Sequence, residues 1–318
     1  LEHGIDLVIE LPVIAATSSA ETFAQGGVCL LDSLGVVSHI SFGAEANTTS
    51  DIDMLDKLAD FFAFEPPAFQ KYLDLELKSG CSFPAARAKA AVLCLQQMAS
   101  NSMNTDTVAQ LVQLLASPNN ILAIEYMKAI RRQNLKLTPS VVTRNGAGYH
   151  DTDTDTELAS ASALRKFIFQ DNSCQETDSE VLNQMLTRTV PDSVRELLLN
   201  AYKTHAFLQE DDFSDLLYYE IRRKFLHSAF SDSDTECSDL EKRIANNLET
   251  FTCWSDFVSD LKTKNQTYTA ISRHLLHAFL GIDAELLAAA KDCHYAPYAR
   301  ILGFRKDASP LLKELQEH

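Results

Sequence analysis

The sequence predicts an α/β chain. A domain built on a parallel sheet spans residues 1–170 and is incomplete at its N-terminus, and an all-helical domain follows over 171–318. Three observations predict this. Two β-rich runs flank one helical stretch near the start, a strand–helix–strand unit whose crossover favours parallel pairing. A third β-rich run lies at Lys136–Arg144. Beyond Asp171 no run alternates as a strand does, while apolar residues recur at helical spacing.

Ile5–Pro12 reads as a short buried strand closed by its proline. Ala20–Leu34 reads as a helix, with Phe23, Val28, Leu30 and Leu31 facing a core and Gly35 as its stop. Val36–Phe42 is the second strand and runs into Gly43-Ala44-Glu45. From Asp51 to Gln97 the pattern is helical, with Leu55, Leu58, Phe62, Phe69 and Leu73 on its apolar faces, Gly80 ending one helix and Pro84 near the start of the next. Asn101–Thr107 is a polar break, Val108–Leu115 is helical, and Ile121–Arg132 is an amphipathic helix that follows Ser117-Pro118-Asn119-Asn120. Asn145–Gly148 and the acidic Asp151–Glu157 are loops, and Ser160–Phe169 is a helix. Seven further helical stretches follow, from Leu182–Leu186 to Ala284–Ala290, separated by polar breaks such as Ser231–Asp234.

Hydrophobic residues make up 46% and charged residues 23%, the mix of a globular chain. No apolar run is long enough to cross a membrane, and the first residues lack a basic, then apolar, leader. The sequence begins as one cut inside a domain would. The net charge is −16, spread as −7 over residues 1–170 and −9 over 171–318, which argues against a non-specific nucleic-acid binder. The seven cysteines are scattered with no CxxC pair, which suits reduced thiols in a cytoplasmic protein.

In an open parallel sheet, ligands gather at the carboxyl ends of the strands. Glu10-Leu11-Pro12, Gly43-Ala44-Glu45 and Arg144-Asn145-Gly146 stand there. Gly43 lets a flat ligand approach the backbone, and Arg144 offers a fork for phosphate, although a strand-end glycine and a surface arginine read the same way. Ser117–Asn120 opens a helix, so its groups either cap that helix or hold a ligand. Ser160, Ser162 and Arg165 open another, a phosphate cradle or an ordinary cap. The run Asp151, Asp153, Asp155, Glu157 fails the calcium-loop pattern, because Thr156 and Ser162 stand where glycine and glutamate are needed, and no metal site is expected. Lys262, Lys264, Arg273, Arg300 and Arg305, with Tyr268, Tyr295 and Tyr298 near them in sequence, form either a stripe for RNA phosphates or plain surface charge. His150 is the one histidine beside a candidate site.

These pieces resemble one family. Gly4–Pro12, Ala20–Ala24, Phe42–Glu45, Gly80–Arg87, Ser117–Leu122, Arg144–Asp151, Ala159–Arg165 and Ala296–Gly303 together are similar to the bacterial tRNA(Met) cytidine acetate ligases, in the HxGH-type nucleotidyltransferase superfamily. The resemblance covers nearly the whole chain. It implies a Rossmann-like nucleotidyltransferase domain over 1–170 and a tRNA-binding helical domain over 171–318. It implies an ATP-dependent ligase that activates acetate as acetyl-adenylate and acetylates the exocyclic amine of the wobble cytidine of elongator tRNA(Met), with Mg2+ entering on the nucleotide. Gly43, Asn119, Arg144 and Asn145 would contact ATP. Ser160, Ser162 and Arg165 would lie on the phosphate side. The family's HxGH segment should precede residue 1 and is absent from this sequence, so the expectation is a fragment that binds ATP poorly and does not adenylate acetate. Two alternatives stand beside this one: a nucleotidyltransferase acting on a small phosphorylated metabolite, and a non-catalytic interaction protein.

Overall fold

A computed structural model describes residues 1, 3–100, 103–143, 161–169, 176–204, 206–230, 239–264 and 266–316. The elements run β1 (Leu7–Glu10), α1 (Val13–Ala16), α2 (Ala20–Ser33), β2 (His39–Ala44), α3 (Thr49–Ala63), α4 (Pro67–Lys78), α5 (Phe83–Met98), α6 (Thr105–Ala116), α7 (Pro118–Arg132) and β3 (Thr138–Thr143). Then come α8 (Ala161–Phe169), α9 (Glu176–Thr189), α10 (Asp192–Lys203), α11 (Ser214–Phe230), α12 (Asp239–Asn247), α13 (Trp254–Leu261), α14 (Tyr268–Leu280), α15 (Ala284–Asp292), β4 (Arg300–Phe304) and α16 (Ser309–Leu315). Residues 1–142 and 213–318 form one compact unit and 143–212 another, a grouping that does not follow a boundary at residue 170.

The α/β class holds, with two corrections to its wiring. The strands of the first strand–helix–strand unit do not pair with each other. β2 pairs with β3 in a small parallel sheet, opened by the Thr138 N–H donating to the Ser38 carbonyl at 2.9 Å. β1 instead pairs antiparallel with β4, Leu7 opposite Phe304 and Glu10 opposite Arg300. Consecutive strands are neighbours only as a tendency, and β1 finds its partner nearly 300 residues away. The second correction is β4 itself, a strand in the half expected to be all helical. Its five residues are too short an apolar run for periodicity to separate strand from helix.

Local chemistry sets the helix ends. Thr48 and Asp51 form a capping box on α3, each side chain accepting from the other's backbone N–H. Asn104 caps α6 within the stretch expected to be a break. α14 begins at the Thr267 cap and ends at Gly281, whose φ of 71° suits glycine. The main core lies among α3–α7, where Phe62, Phe69, Leu55, Leu58, Leu111 and Ile124 are fully buried and the Phe61, Phe62 and Phe69 rings meet edge to face. A smaller core under β2 and β3 joins Val28, Ile40, Ile130 and Leu137. Leu217, Trp254, Phe257, Leu261 and Ile271 form the core of α11–α14. The second unit has its own, around Leu182, Leu186 and Tyr202.

Candidate active site

The parallel pair β2–β3 brings the carboxyl end of β2 against the first turn of α7. Ala44 and Ala46 are fully buried, and their small side chains let the strand end sit close to the helices, leaving Gly43 exposed. An aromatic layer supports the pair from below: the Phe42 and Tyr126 ring centroids are 5.1 Å apart, and burial pushes the Tyr126 phenol up.

Glu45 joins the two motifs. Its backbone N–H donates to Asn120 Oδ1 at 2.8 Å. Its carboxylate accepts from Ser117 Oγ at 2.6 Å through Oε2 and from Asn119 Nδ2 at 2.6 Å through Oε1. Ser117 therefore makes no side-chain cap on α7, although it occupies the cap position. Of the paired asparagines, Asn120 is buried and structural, while Asn119 is only half-buried. Glu45 and Ser117 lay inside motifs noted from the sequence, a strand end and a helix start, but neither was assigned an ATP contact. The only signal for Glu45 was its position just beyond a strand end rich in small residues.

A buried ionic cluster fixes α7 behind this site. Arg87 Nη2 lies 2.6 Å from Glu125 Oε1, and Lys128 pairs with the other oxygen of Glu125. Lys128 also reaches Glu21 on α2 at 2.8 Å, and Arg132 reaches the same carboxylate at 3.0 Å. Arg87 stacks 4.0 Å over the Phe62 ring. Burial alone would raise the Glu21 carboxyl, yet Lys128, Arg132 and Arg87 together hold it below the usual carboxylate range.

The remaining expected residues are placed as follows. Arg144 and Asn145 follow directly on Thr143 at the end of β3; they, His150 and Ser160 lie outside the described residues. Ser162 is half-buried and Arg165 exposed on α8, which belongs to the second unit. Lys262 and Lys264 are exposed after α13, in a stretch bracketed by Arg243, whose guanidinium donates to the Leu261 carbonyl and to Gln266. Arg273 is half-buried on α14. Arg300 and Arg305 are engaged by carboxylates, Arg300 by Glu10 at 3.1 Å and Arg305 by Asp6 at 2.8 Å and Asp307 at 3.2 Å. Exposed pairs of this kind are weak and exchangeable. Among the described residues no group of three histidine, cysteine or acidic side chains converges on a metal position, and no helix is long and apolar enough to cross a membrane.

Comparison with known proteins bears on this geometry. The family model of the HIGH Nucleotidyl Transferases matches residues 1–318. The tRNA(Met) cytidine acetate ligase of Clostridium perfringens strain SM101 is 36% identical over 320 residues, a match covering 100% of this chain and 73% of that protein. The chain belongs to the tRNA(Met) cytidine acetate ligase family. A second ligase of this family, from Thermoanaerobacter sp. strain X514, is 34% identical across 100% of this chain and 72% of its own length. The crystal structure of apo Thermotoga maritima TmcAL superposes with a TM-score of 0.81 at 28% identity, covering 100% of this chain and 70% of that one. The same enzyme bound with alpha-thio ATP gives 0.78 at 26% identity, covering 99% and 69%. Thus the overall fold of this chain is similar to that of a structure that holds an ATP analogue.

Proposed function

We propose that this protein catalyses the reaction of its family. It uses ATP to activate acetate as acetyl-adenylate, releasing diphosphate, and transfers the acetyl group to the exocyclic amine of the wobble cytidine of elongator tRNA(Met). The observation that carries this is the joining of the β2 strand end to the start of α7 through Glu45, at the strand-end position where an α/β sheet binds ligands. That the family relatives bear the name of this ligase supports the same reading.

In this site Gly43 gives the nucleotide access to the backbone and Asn119 offers it a polar side chain. Arg144 and Asn145, directly after β3, contribute charge and hydrogen bonds to the phosphates. The chemistry asks for alignment more than for a protein nucleophile, because an acetate oxygen attacks the α-phosphorus and the tRNA amine then attacks the activated carbonyl. Mg2+ bound to the nucleotide would supply charge neutralisation at the phosphates. Glu45 already accepts one hydrogen bond on each carboxylate oxygen, from Ser117 and from Asn119. The target cytidine must leave its stack to reach the acetyl group. Nucleotide handling lies within residues 1–170, with Ser160, Ser162 and Arg165 on the phosphate side. tRNA contacts lie within 171–318, along Lys262, Lys264, Arg273, Arg300 and Arg305. The enzyme works in the cytoplasm, where its tRNA is.

The test is direct. The 318-residue chain, and any longer product its gene encodes, are incubated with labelled acetate, ATP, Mg2+ and elongator tRNA(Met), and label in the tRNA is counted with and without ATP. ATP-dependent label at the wobble cytidine is the expected result. ATP consumption with a nucleotide left in a small-molecule product overturns the ligase reading.

A further inference from the structure

We infer that Glu45 is a positioning residue that orients the Asn119 amide, so that Asn119 meets the nucleotide with its carbonyl oxygen and accepts a hydrogen bond from the nucleoside half of ATP. This rests on the reading of Asn119 as an ATP contact. An ionised carboxylate only accepts hydrogen bonds, whereas an asparagine amide has one accepting and one donating end. With Glu45 Oε1 at 2.6 Å, the end of Asn119 that faces it must be the NH2 group. The flip of this amide is thereby fixed by chemistry rather than left open.

Three further contacts make the arrangement rigid. Ser117 Oγ holds the second carboxylate oxygen at 2.6 Å, so Glu45 cannot rotate away without losing both bonds. Asn120 Oδ1, buried, accepts the Glu45 backbone N–H at 2.8 Å and pins the strand end to α7. Pro118 at the first position of α7 fixes the backbone between Ser117 and Asn119. Asn119 Oδ1 is then the end that remains for a ligand. Its partner on ATP must be a donor, either the adenine amine or a ribose hydroxyl.

A charge-neutral exchange tests this. In Asn119→Asp, two carboxylates face each other and the apparent KM for ATP rises about tenfold, the loss expected for one charge-assisted hydrogen bond and the repulsion that replaces it. In the double variant Glu45→Gln with Asn119→Asp, the glutamine amide donates to the new carboxylate, the net charge is that of the unaltered protein, and an acceptor still faces the nucleotide. The KM returns to within about threefold of its original value. A double variant as impaired as Asn119→Asp, with unchanged thermal melting, overturns the inference while the ATP site stands. Should Asn119→Asp not fold, Glu45→Ala and Glu45→Gln read the same claim: only the alanine raises the KM, and equal values overturn it. Asn119→Ala with an unchanged KM removes the ATP contact itself, and the positioning role with it. The donor is then identified by assaying the unaltered protein with purine riboside triphosphate, which lacks the amine, and with 2′-deoxy- and 3′-deoxy-ATP, which each lack a hydroxyl. No loss with any of the three overturns the acceptor role.

Discussion

His277 Nε2 on α14 lies 3.0 Å from Thr17 Oγ1 and 3.1 Å from the Thr17 carbonyl, just ahead of α2. Thr17 Oγ1 donates its own hydrogen to the Val13 carbonyl at 2.7 Å, so the imidazole must be the donor. This fixes the neutral tautomer as Nε2–H and ties two parts of the chain 260 residues apart. His277→Ala is expected to cost about 1 kcal/mol, read as a shift in the urea midpoint.

The same histidine predicts an acid-side effect. Burial lowers its pKa, the bond to Thr17 raises it, and nearby Arg273 lowers it again, with a net downward shift. A depressed histidine contributes stability that is present above its unfolded value, about 6.5, and lost as pH falls through the folded value. Stability should therefore fall below about pH 6.5 in the parent and fall less in His277→Gln. Parallel pH profiles for the two would show that this residue is not the cause.

Lys128 is the hinge of the buried cluster, since it pairs with both Glu125 and Glu21 while only 4% exposed itself. Lys128→Ala leaves the buried Glu125 with Arg87 alone and should destabilise by about 3–5 kcal/mol, measured by chemical denaturation. Because the cluster fixes α7, residual activity at permissive temperature should show a raised KM for ATP.

Gly26 on α2 has no room for a methyl group. A Cβ there would stand 2.6 Å from the Ala15 Cβ of α1. Gly26→Ala should lower stability by about 1–3 kcal/mol. Adding Ala15→Gly should recover much of that loss, and a double variant no better than the single would place the strain elsewhere.

The thiols should separate cleanly. Cys29 is buried and its pKa is pushed up to about 11 by burial and then by Asp32, whereas Cys293 is exposed. Iodoacetamide near pH 8, followed by peptide mass spectrometry, should find Cys293 modified and Cys29 untouched in the folded protein.

Gly43 and Asn119 drew notice in the sequence because strand ends and helix starts carry local signals, small residues, proline and capping side chains, but those signals left a structural role open and only the family resemblance made them ATP contacts. Glu45 could not be assigned a role, because its partners lie 72–75 residues onward and nothing local says that a strand-end carboxylate will meet a particular helix start. Ser117 was misleading in the same way, since a serine before Pro118 reads as a cap until Glu45 takes its hydroxyl. The basic stripe was legible only as charge. That Arg300 and Arg305 are shared with Glu10 and Asp6 depends on the pairing of β1 with β4, which no periodicity announces.

That pairing also sets an order of events on the ribosome. Leu7–Glu10 leaves the exit tunnel long before Arg300–Phe304 has been synthesised. At ordinary elongation rates the delay is roughly 15–60 s, far longer than helix formation or local collapse. Throughout that interval Leu7–Glu10 lacks its β4 partner, and Val8 and the preceding Ile5 are exposed even in the finished fold. The β1–β4 ladder is therefore closed only when synthesis of these 318 residues is nearly complete, after the helices between them have had time to form.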